Sequence, residues 1–436
     1  MNWIFLGIVL AAFAVAGWRQ FAHVSVAGAP SPMEVLSSSM ISSAGGAVEL
    51  AIGLVGVMAL FLGLMKVAEE GGLLTVIARL IRPLMTRLFR EVPPEHPAMG
   101  AMILNLSANA LGLGNAATPF GIRAMQELDR LNPRPGTATN SMALFLAINT
   151  SSVTLLPTAV IALRAAAGSS DPAGILPTTL FASICGTIAA VLAALWLARF
   201  FPVGAPDAAV PDAAAAGIDR PWTRDDAQRE AVPADPGAYP LWASALAIGG
   251  LVALIPLTIA WGKVLSPWIV PGLMAGFLLF GALRGVRVYE AFVEGAKEGF
   301  RVAVRIIPYL VAILVAIGML RASGALDATV GAIGGYTEKL GLPPEALPMA
   351  LLRSLSGSGA YGVMASIIND PAIGPDSYTG YLVSTLQGSS ETTFYVLAVY
   401  FGAVQVRRVR HALAAALIAD LVAVIAAVAI CRWLFA

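Results

Sequence analysis

Residues 98–118 read AMGAMILNLSANALGLGNAAT, and residues 347–368 read LPMALLRSLSGSGAYGVMASII. Where these two stretches sit decides the fold. Each is long and apolar enough to resemble a membrane helix of about 20 residues, yet each is poor helix material. The first carries Asn105, Ser107, Asn109 and Asn115 among glycines; the second carries Arg353, Ser354, Ser356 and Ser358 around Gly357, Gly359 and Gly362. Each glycine in a helix interior costs about 1 kcal/mol relative to alanine. Nine further apolar segments read as plain spans: 3–20, 46–66, 140–163, 174–199, 240–260, 265–284, 303–321, 377–402 and 409–434. Lysine and arginine concentrate in cytoplasmic loops, and their placement separates two topologies. If every segment crosses, 13 basic residues fall on one side and 12 on the other. If 98–118 and 347–368 dip in and return, the division is 19 to 6, with Arg305 and Arg353 inside segments. The two stretches are therefore expected to be re-entrant hairpins. The amino terminus is expected in the cytoplasm and the carboxyl terminus outside.

Composition agrees. The 436-residue chain is 58% hydrophobic and 12% charged, with a mean hydropathy of +0.79. Soluble domains are about half apolar and about a quarter charged. The balance excludes a water-soluble enzyme, a disordered chain and a nucleic-acid binder. A net charge of +1 leaves no large field to steer an anionic partner. Cys185 and Cys431 lie far apart in apolar segments, which excludes a disulfide framework and a thiolate metal cluster. Ala14-Val15-Ala16 looks like a signal-peptide cleavage site, but Met1-Asn2 offers no basic side chain, so the first segment reads as a retained helix.

The chain repeats itself. Val92-Pro93-Pro94-Glu95 and Leu342-Pro343-Pro344-Glu345 each precede one of the two odd stretches. Leu106-Ser107 then falls on Leu355-Ser356, and Asn149-Thr150-Ser151-Ser152-Val153-Thr154 on Gln387-Gly388-Ser389-Ser390-Glu391-Thr392. Met33-Glu34 and Tyr289-Glu290 each open an amphipathic stretch before the next span. Residues 202–239 are rich in Ala, Pro and Asp with no apolar period, which is linker composition. Three parts follow: a first repeat over 1–201, a flexible cytoplasmic linker over 202–239, and a second repeat over 240–436 with 240–260 as an extra helix. Five spans separate the starts of the repeats, and an odd number inverts the second. The expected fold is an all-α polytopic membrane protein. Each of its two inverted repeats holds a re-entrant hairpin and a polar, partly unwound helix, as in many secondary transporters.

The polar centres of 140–163 and 377–402 carry the chemistry. Pro157 disturbs the backbone near Val153, so unwinding is expected around Ser152–Pro157. Freed carbonyls with Asn149, Ser151, Ser152 and Gln387 can hold a polar solute or a small cation. Helix–helix packing through small polar residues is the plainer reading for any one of them. Glu391 is an intramembrane carboxylate, which is expensive and usually functional; it can bind substrate, hold an ion, titrate, or pair with Arg353. Arg353 can meet an anionic group or simply pair with Glu391. Asp420 lies in the last helix with no evident partner and is a candidate proton relay or buried polar contact. The hairpin residues Asn105, Ser107, Asn109, Ser356 and Ser358 can offer substrate contacts or turn chemistry. His23, His96 and His411 sit at scattered membrane borders and form no metal site, and no nucleophile–base pair emerges, so an enzyme is not expected.

The stretch from Asn105 to Pro119 resembles the spore maturation protein A family. Gly357-Ser358-Gly359-Ala360-Tyr361-Gly362, Gly374-Pro375-Asp376-Ser377 and Gln387 to Tyr395 resemble the spore maturation protein B family. Both belong to the nucleoside recognition, or Gate, superfamily, and this chain resembles the two fused, with 202–239 as the joint. The resemblance implies a substrate site of hairpins and unwound helices at Asn105, Ser107, Asn109, Asn149, Ser151, Ser152, Ser356, Ser358, Gln387 and Glu391. It also implies a bacterial cytoplasmic membrane protein. The expected function is secondary transport of a small polar, nucleoside-like or other solute, with a coupling proton or sodium as the only cofactor. The expected partners are the solute, the lipid bilayer and further copies of the chain. The alternative is a non-transporting scaffold or receptor subunit that binds a partner or lipid.

Overall fold

A computed structural model describes residues 2–21, 23, 30–112, 114–202, 239–325, 328 and 335–435. The linker expected at 202–239 lies, apart from its ends, outside the described residues. The described chain is helical almost throughout. In the first half, α1 is Asn2–Phe21, α2 Pro32–Glu70, α3 Leu73–Leu88, α4 Pro97–Ala110, α5 Gly114–Arg130, α6 Asn140–Thr150, α7 Thr158–Ala166 and α8 Leu176–Leu197. In the second, α9 is Leu241–Leu283, α10 Val288–Ala322, α11 Leu347–Leu355, α12 Gly357–Ile368, α13 Tyr378–Ser389, α14 Thr393–Ala403 and α15 Ala412–Phe435.

The two halves share one plan. A long helix comes first (α2, α10), then a hairpin (α4–α5, α11–α12), a broken helix (α6–α7, α13–α14) and a closing helix (α8, α15). Matching polar caps start the broken helices: Thr139 Oγ1 accepts from the Met142 N–H, and Ser377 Oγ from the Gly380 N–H. Equivalent long helices pack antiparallel. A Cβ on Gly63 would meet the Phe292 ring at 2.8 Å, one on Gly299 the Ala59 Cα at 2.6 Å, and one on Gly318 the Ser43 hydroxyl. Contacts that climb α10 thus descend α2. Likewise, a Cβ on Gly186 would lie 3.1 Å from the Ala423 Cβ while the Phe201 and His411 rings sit tilted with centroids 6.1 Å apart, so α8 and α15 run oppositely. Repeats whose counterparts face each other antiparallel are inverted repeats.

The packing is that of a membrane protein. On α15 the buried face is small, with Ala412, Ala415, Ala416, Ala419, Ala423 and Ala427, while Leu421 and Ile425 on the outer face are 61% and 58% exposed. Small residues inward and large apolar ones outward suit a lipid solvent, where close van der Waals approach holds helices together. Among the described residues, Pro32–Glu70, Leu176–Phe200 and Ala412–Phe435 are long and apolar enough to cross a membrane.

Three segment boundaries differ from the sequence reading. The amphipathic stretches at Met33 and Tyr289 run unbroken into the spans at 46–66 and 303–321, because no helix-ending residue separates them. The first hairpin extends past residue 118, since α5 continues to Arg130. Residues 240–260 and 265–284 form one helical element of 43 residues. If straight, it would be about 65 Å long. Yet Tyr239 before it bonds the Arg79 carbonyl, and Phe280 and Gly281 near its end pack on Gly71 and Val67. The positions from 67 to 79 lie within about 20 Å along helix. The chain therefore doubles back inside this element, as two spans would.

Candidate functional site

The first hairpin meets the first break. Asn105 Nδ2 donates to the Ala117 carbonyl across the hairpin at 2.8 Å, and to Tyr400 Oη of α14 at 3.0 Å. Asn109 Nδ2 donates to Asn149 Oδ1 at 2.9 Å, and Asn149 Nδ2 donates back to the Phe145 carbonyl at 2.9 Å. Tyr400 Oη also reaches Asn149 Oδ1 at 3.4 Å, and its ring stacks on Phe145. Asn105, Asn109, Asn149 and Tyr400 are all buried. Ser107 turns its hydroxyl to the Ile103 carbonyl of its own helix, as buried helical serines do. The backbone leaves helical geometry at Ser151 and resumes at Thr158, one residue earlier than the proline alone suggests. The freed groups find partners: the Leu155 N–H donates to Ala110 at the hairpin tip, Thr187 Oγ1 donates to the Ser151 carbonyl, and Thr154 Oγ1 to the Ser152 carbonyl.

The second hairpin meets the second break in the mirrored place, with different chemistry. Ser356 takes an extended conformation between α11 and α12, and its Oγ accepts from the Gly359 N–H, capping α12. Ser358 Oγ lies 3.5 Å from Ser356 Oγ and is exposed. Helix α13 ends at Ser389 and α14 begins at Thr393. Across that gap Arg353 Nη1 donates to Thr392 Oγ1 at 3.2 Å, and its Nη2 stands 3.9 Å from Glu391 Oε2. Thr393 Oγ1 donates to Asp420 Oδ2 at 2.7 Å. The Arg353 side chain is 7% exposed, whereas Glu391 is 49% exposed.

The two breaks touch. The Glu391 N–H donates to the Thr150 carbonyl at 2.8 Å, and Tyr361 Oη of the second hairpin donates to the Ala159 carbonyl of the first broken helix at 3.4 Å. The sequence candidates thus lie on the two hairpins and two breaks in one region, with Asp420 reaching the second break from α15. Their bonding is unequal. Asn149 has every amide atom engaged, while the matched Gln387 has an Oε1 without a partner among the described residues, as do Asn105 Oδ1, Ser151 Oγ and Ser389 Oγ.

Two parts of this region are not legible in sequence. Tyr400 sits in a plain apolar run, and only the fold shows that its hydroxyl links Asn105 to Asn149. Arg164 is the other. Its side chain is fully buried, and its Nη atoms donate to the carbonyls of Pro375 and Asp171, to Ser169 and Ser384, and to Asp376 Oδ1 at 3.0 Å. Its guanidinium lies 4.2 Å from the Tyr381 ring centre. Ser169 and Ser170 add their hydroxyls, and Ser170 its N–H, to the Asp376 carboxylate. Burial works against that carboxylate, but the Ser169 and Ser170 hydrogen bonds and the Arg164 charge outweigh it and hold its pKa below the ordinary value. This latch ties the end of α7 to the start of α13. An arginine at the edge of an apolar segment gives no sign of it. Clefts of about 520 Å³ at Arg284–Glu294 and about 220 Å³ at Glu91 and Ser141 lie away from both breaks.

Comparison with known proteins identifies relatives of both halves. The family model described as nucleoside recognition (Gate) matches residues 51–167 and 303–407, which take in a hairpin and a break in each half. Spore maturation protein B of Bacillus subtilis (strain 168) is 46% identical over 171 residues, 39% of this chain and 95% of that protein. Spore maturation protein A of the same organism is 43% identical over 160 residues, 37% of this chain and 82% of that protein. The crystal structure of the Alcanivorax borkumensis YdaH transporter aligns over 98% of this chain and 96% of its own at 16% identity, with a TM-score of 0.41, a likeness too distant to carry an argument. Matched in both halves by one family model, and similar to two relatives over most of their own lengths, this multi-pass membrane protein belongs to the nucleoside recognition, or Gate, family.

Proposed function

We propose that the chain is a secondary transporter of a small polar solute, with an ion-coupled site between its inverted repeats. One observation carries this reading: Glu391, half exposed, lies where two backbone breaks and a hairpin tip converge. Irregular backbone and a carboxylate cannot face hydrocarbon; they need a protein wall or a water-filled cavity. Exposed Ser358 and Gln387 Oε1, without a partner among the described residues, sit on the same half. The solute would bind at Gln387, Glu391, Ser356 and Ser358, with Ser151, Ser152 and Asn105 offering further oxygens. Asn109, Asn149 and Ser107 would hold the first tip in shape.

The basic-rich layer, with Arg79, Arg82, Arg134, Arg407 and Arg408, would face the cytoplasm of a bacterial inner membrane. Further copies of the chain would provide a fixed frame. No nucleic-acid partner is expected. The second reading, a scaffold or receptor subunit, is favoured by the closed Asn105–Asn109–Asn149–Tyr400 network, which leaves little room for a solute in the first half.

A ligand-dependent thermal stability screen separates the two. Nucleosides, bases, amino acids, dicarboxylates, short peptides and monovalent cations would be tested on wild type, Gln387→Ala and Glu391→Gln. A ligand that binds the folded state stabilises it by RT ln(1 + [L]/Kd), about 2.7 kcal/mol at a hundredfold excess over Kd. The transporter reading expects a concentration-dependent rise that both variants lose. A rise retained by both would remove the site from this place, and a flat response across the panel would favour the scaffold.

A further inference from the structure

Three consecutive residues of the second break reach two different helices. Glu391 faces Arg353 at 3.9 Å, Thr392 accepts from Arg353 at 3.2 Å, and Thr393 donates to Asp420 at 2.7 Å. The break is thus strung between a guanidinium on α11 and a carboxylate on α15. Asp420 is 7% exposed; Ser354 on α11 brings a second hydroxyl near its carboxyl, but Oδ1 has no partner in full hydrogen-bond geometry among the described residues. Around it α15 packs on α6, α8, α11, α13 and α14. Arg353 is the one charged residue in those five helices. Their other titratable groups are Cys185 on α8, Tyr378 and Tyr381 on α13, and Tyr395 and Tyr400 on α14. Cys431 and Arg432 on α15 itself lie about three turns away.

The charges do not balance. One guanidinium pairs with Glu391 and lies near Asp420, and among the described residues of these helices no other cation is close to either carboxylate. With both carboxylates ionised the cluster would be net negative in an apolar surround, where an unpaired buried charge is costly and a shift of protonation relieves it. Glu391 is half exposed and can stay hydrated; Asp420 cannot. The arrangement matches that division: the guanidinium is turned to Thr392 and Glu391, and Asp420 receives a neutral hydroxyl.

We propose that Asp420 is a proton-binding site, and that the Glu391–Thr393 break transmits its protonation to the solute site. A proton from water on the Glu391 side would bond to Oδ1, the oxygen without a partner, and take the carboxyl from −1 to neutral. Loss of that proton would leave a carboxylate competing with Glu391 for Arg353, pulling on both ends of the break. That this proton is the coupling ion rests on the transporter reading; that Asp420 titrates does not.

Infrared titration of the purified protein tests it without any solute. A protonated carboxyl buried in protein has its own carbonyl stretch. The wild type should show one that disappears as pH rises. Asp420→Asn should lack it, and Glu391→Gln should move its midpoint down by about one unit, because a nearby negative charge favours the protonated form. Thr393→Val should shift the band by removing the hydroxyl on Oδ2, and it marks the group even if Asp420→Asn does not fold. A band that survives in Asp420→Asn, one unmoved by Thr393→Val, or no titrating carboxyl in the wild type would overturn the proposal. A titrating Asp420 in a protein that binds no solute would keep the site and remove its coupling role.

Discussion

Asn149 and Gln387 occupy matched positions on the two broken helices, and their surroundings assign them different work. Asn149 gives and takes bonds with Asn109, Phe145 and Tyr400 inside a closed cluster. Asn149→Ala would strand the buried Asn109 amide and leave the Tyr400 O–H without its acceptor, and stranded polar groups cost about 1–3 kcal/mol. It should lower the melting temperature clearly with no ligand present. Gln387→Ala removes an amide whose oxygen has no partner among the described residues, so its apo stability should stay within about 0.5 kcal/mol of wild type while ligand-induced stabilisation disappears. Equal losses in apo stability would remove the distinction between a structural and a binding half. The converging residues stand out in the sequence because polar residues in an apolar helix are visible as exceptions. The sequence could not reveal which of them are satisfied, since the decisive partner, Tyr400, is 251 residues from Asn149 and looks like core.

Hairpins and breaks depend on a few backbone positions. Gly112 turns the first hairpin at φ +74°, and a Cβ there would collide with the Leu156 carbonyl of the break. Left-handed geometry alone costs an L-residue about 1–2 kcal/mol, and the collision adds to it. Gly112→Ala should therefore lower the melting temperature and loosen the first tip, seen as faster amide exchange at the Leu155 N–H that bonds Ala110. Unchanged exchange would show that the tip tolerates a shift. The latch between α7 and α13 adds a pH dependence. The Asp376 carboxylate has a depressed pKa in the folded chain. Its contribution is therefore fully present above the unfolded value of about 3.9 and is lost as pH falls through the lower folded value. Asp376→Asn should cost about 1–3 kcal/mol at neutral pH, because it leaves the buried Arg164 guanidinium without its partly exposed counter-charge, and the gap to wild type should close in acid. A gap that persists unchanged below that range would assign the cost to packing. The hairpins and breaks were legible because glycine, proline and polar runs punctuate apolar sequence. The latch was not, because Arg164 and Asp376 both sit where a segment ends and a polar residue is ordinary.

At the scale of the whole molecule, polar contacts gather in two layers. One holds Glu91 with Asn140 and Ser141, Arg410 with the Ala138 carbonyl, and Arg79 with Tyr239. The other holds Arg19 with Ser323, Arg321 with Asp370, Arg164 with Asp376, and Tyr378 with Gly341. The distribution of lysine and arginine along the sequence divides the same segments the same way. That agreement has a physical cause. Each apolar segment fixes its two ends on opposite sides, and each hairpin fixes its ends on one side, so the layers follow from the order of segments alone. What order cannot supply is which faces meet. The antiparallel seams of α2 with α10 and α8 with α15 rest on glycine and alanine positions that read as generic membrane composition. Cysteine labelling tests the layers and their orientation together. In a chain with Cys185 and Cys431 replaced by alanine, Arg90→Cys and Lys339→Cys place single exposed thiols at the two layers. A membrane-impermeant maleimide should label Lys339→Cys in intact cells and Arg90→Cys only after the membrane is opened. The reverse pattern would keep the fold and turn it over. Labelling of both from one side would break the two-layer architecture, and with it the inverted relation of the repeats, since counterparts that run oppositely across a bilayer must place the two tested loops on different faces.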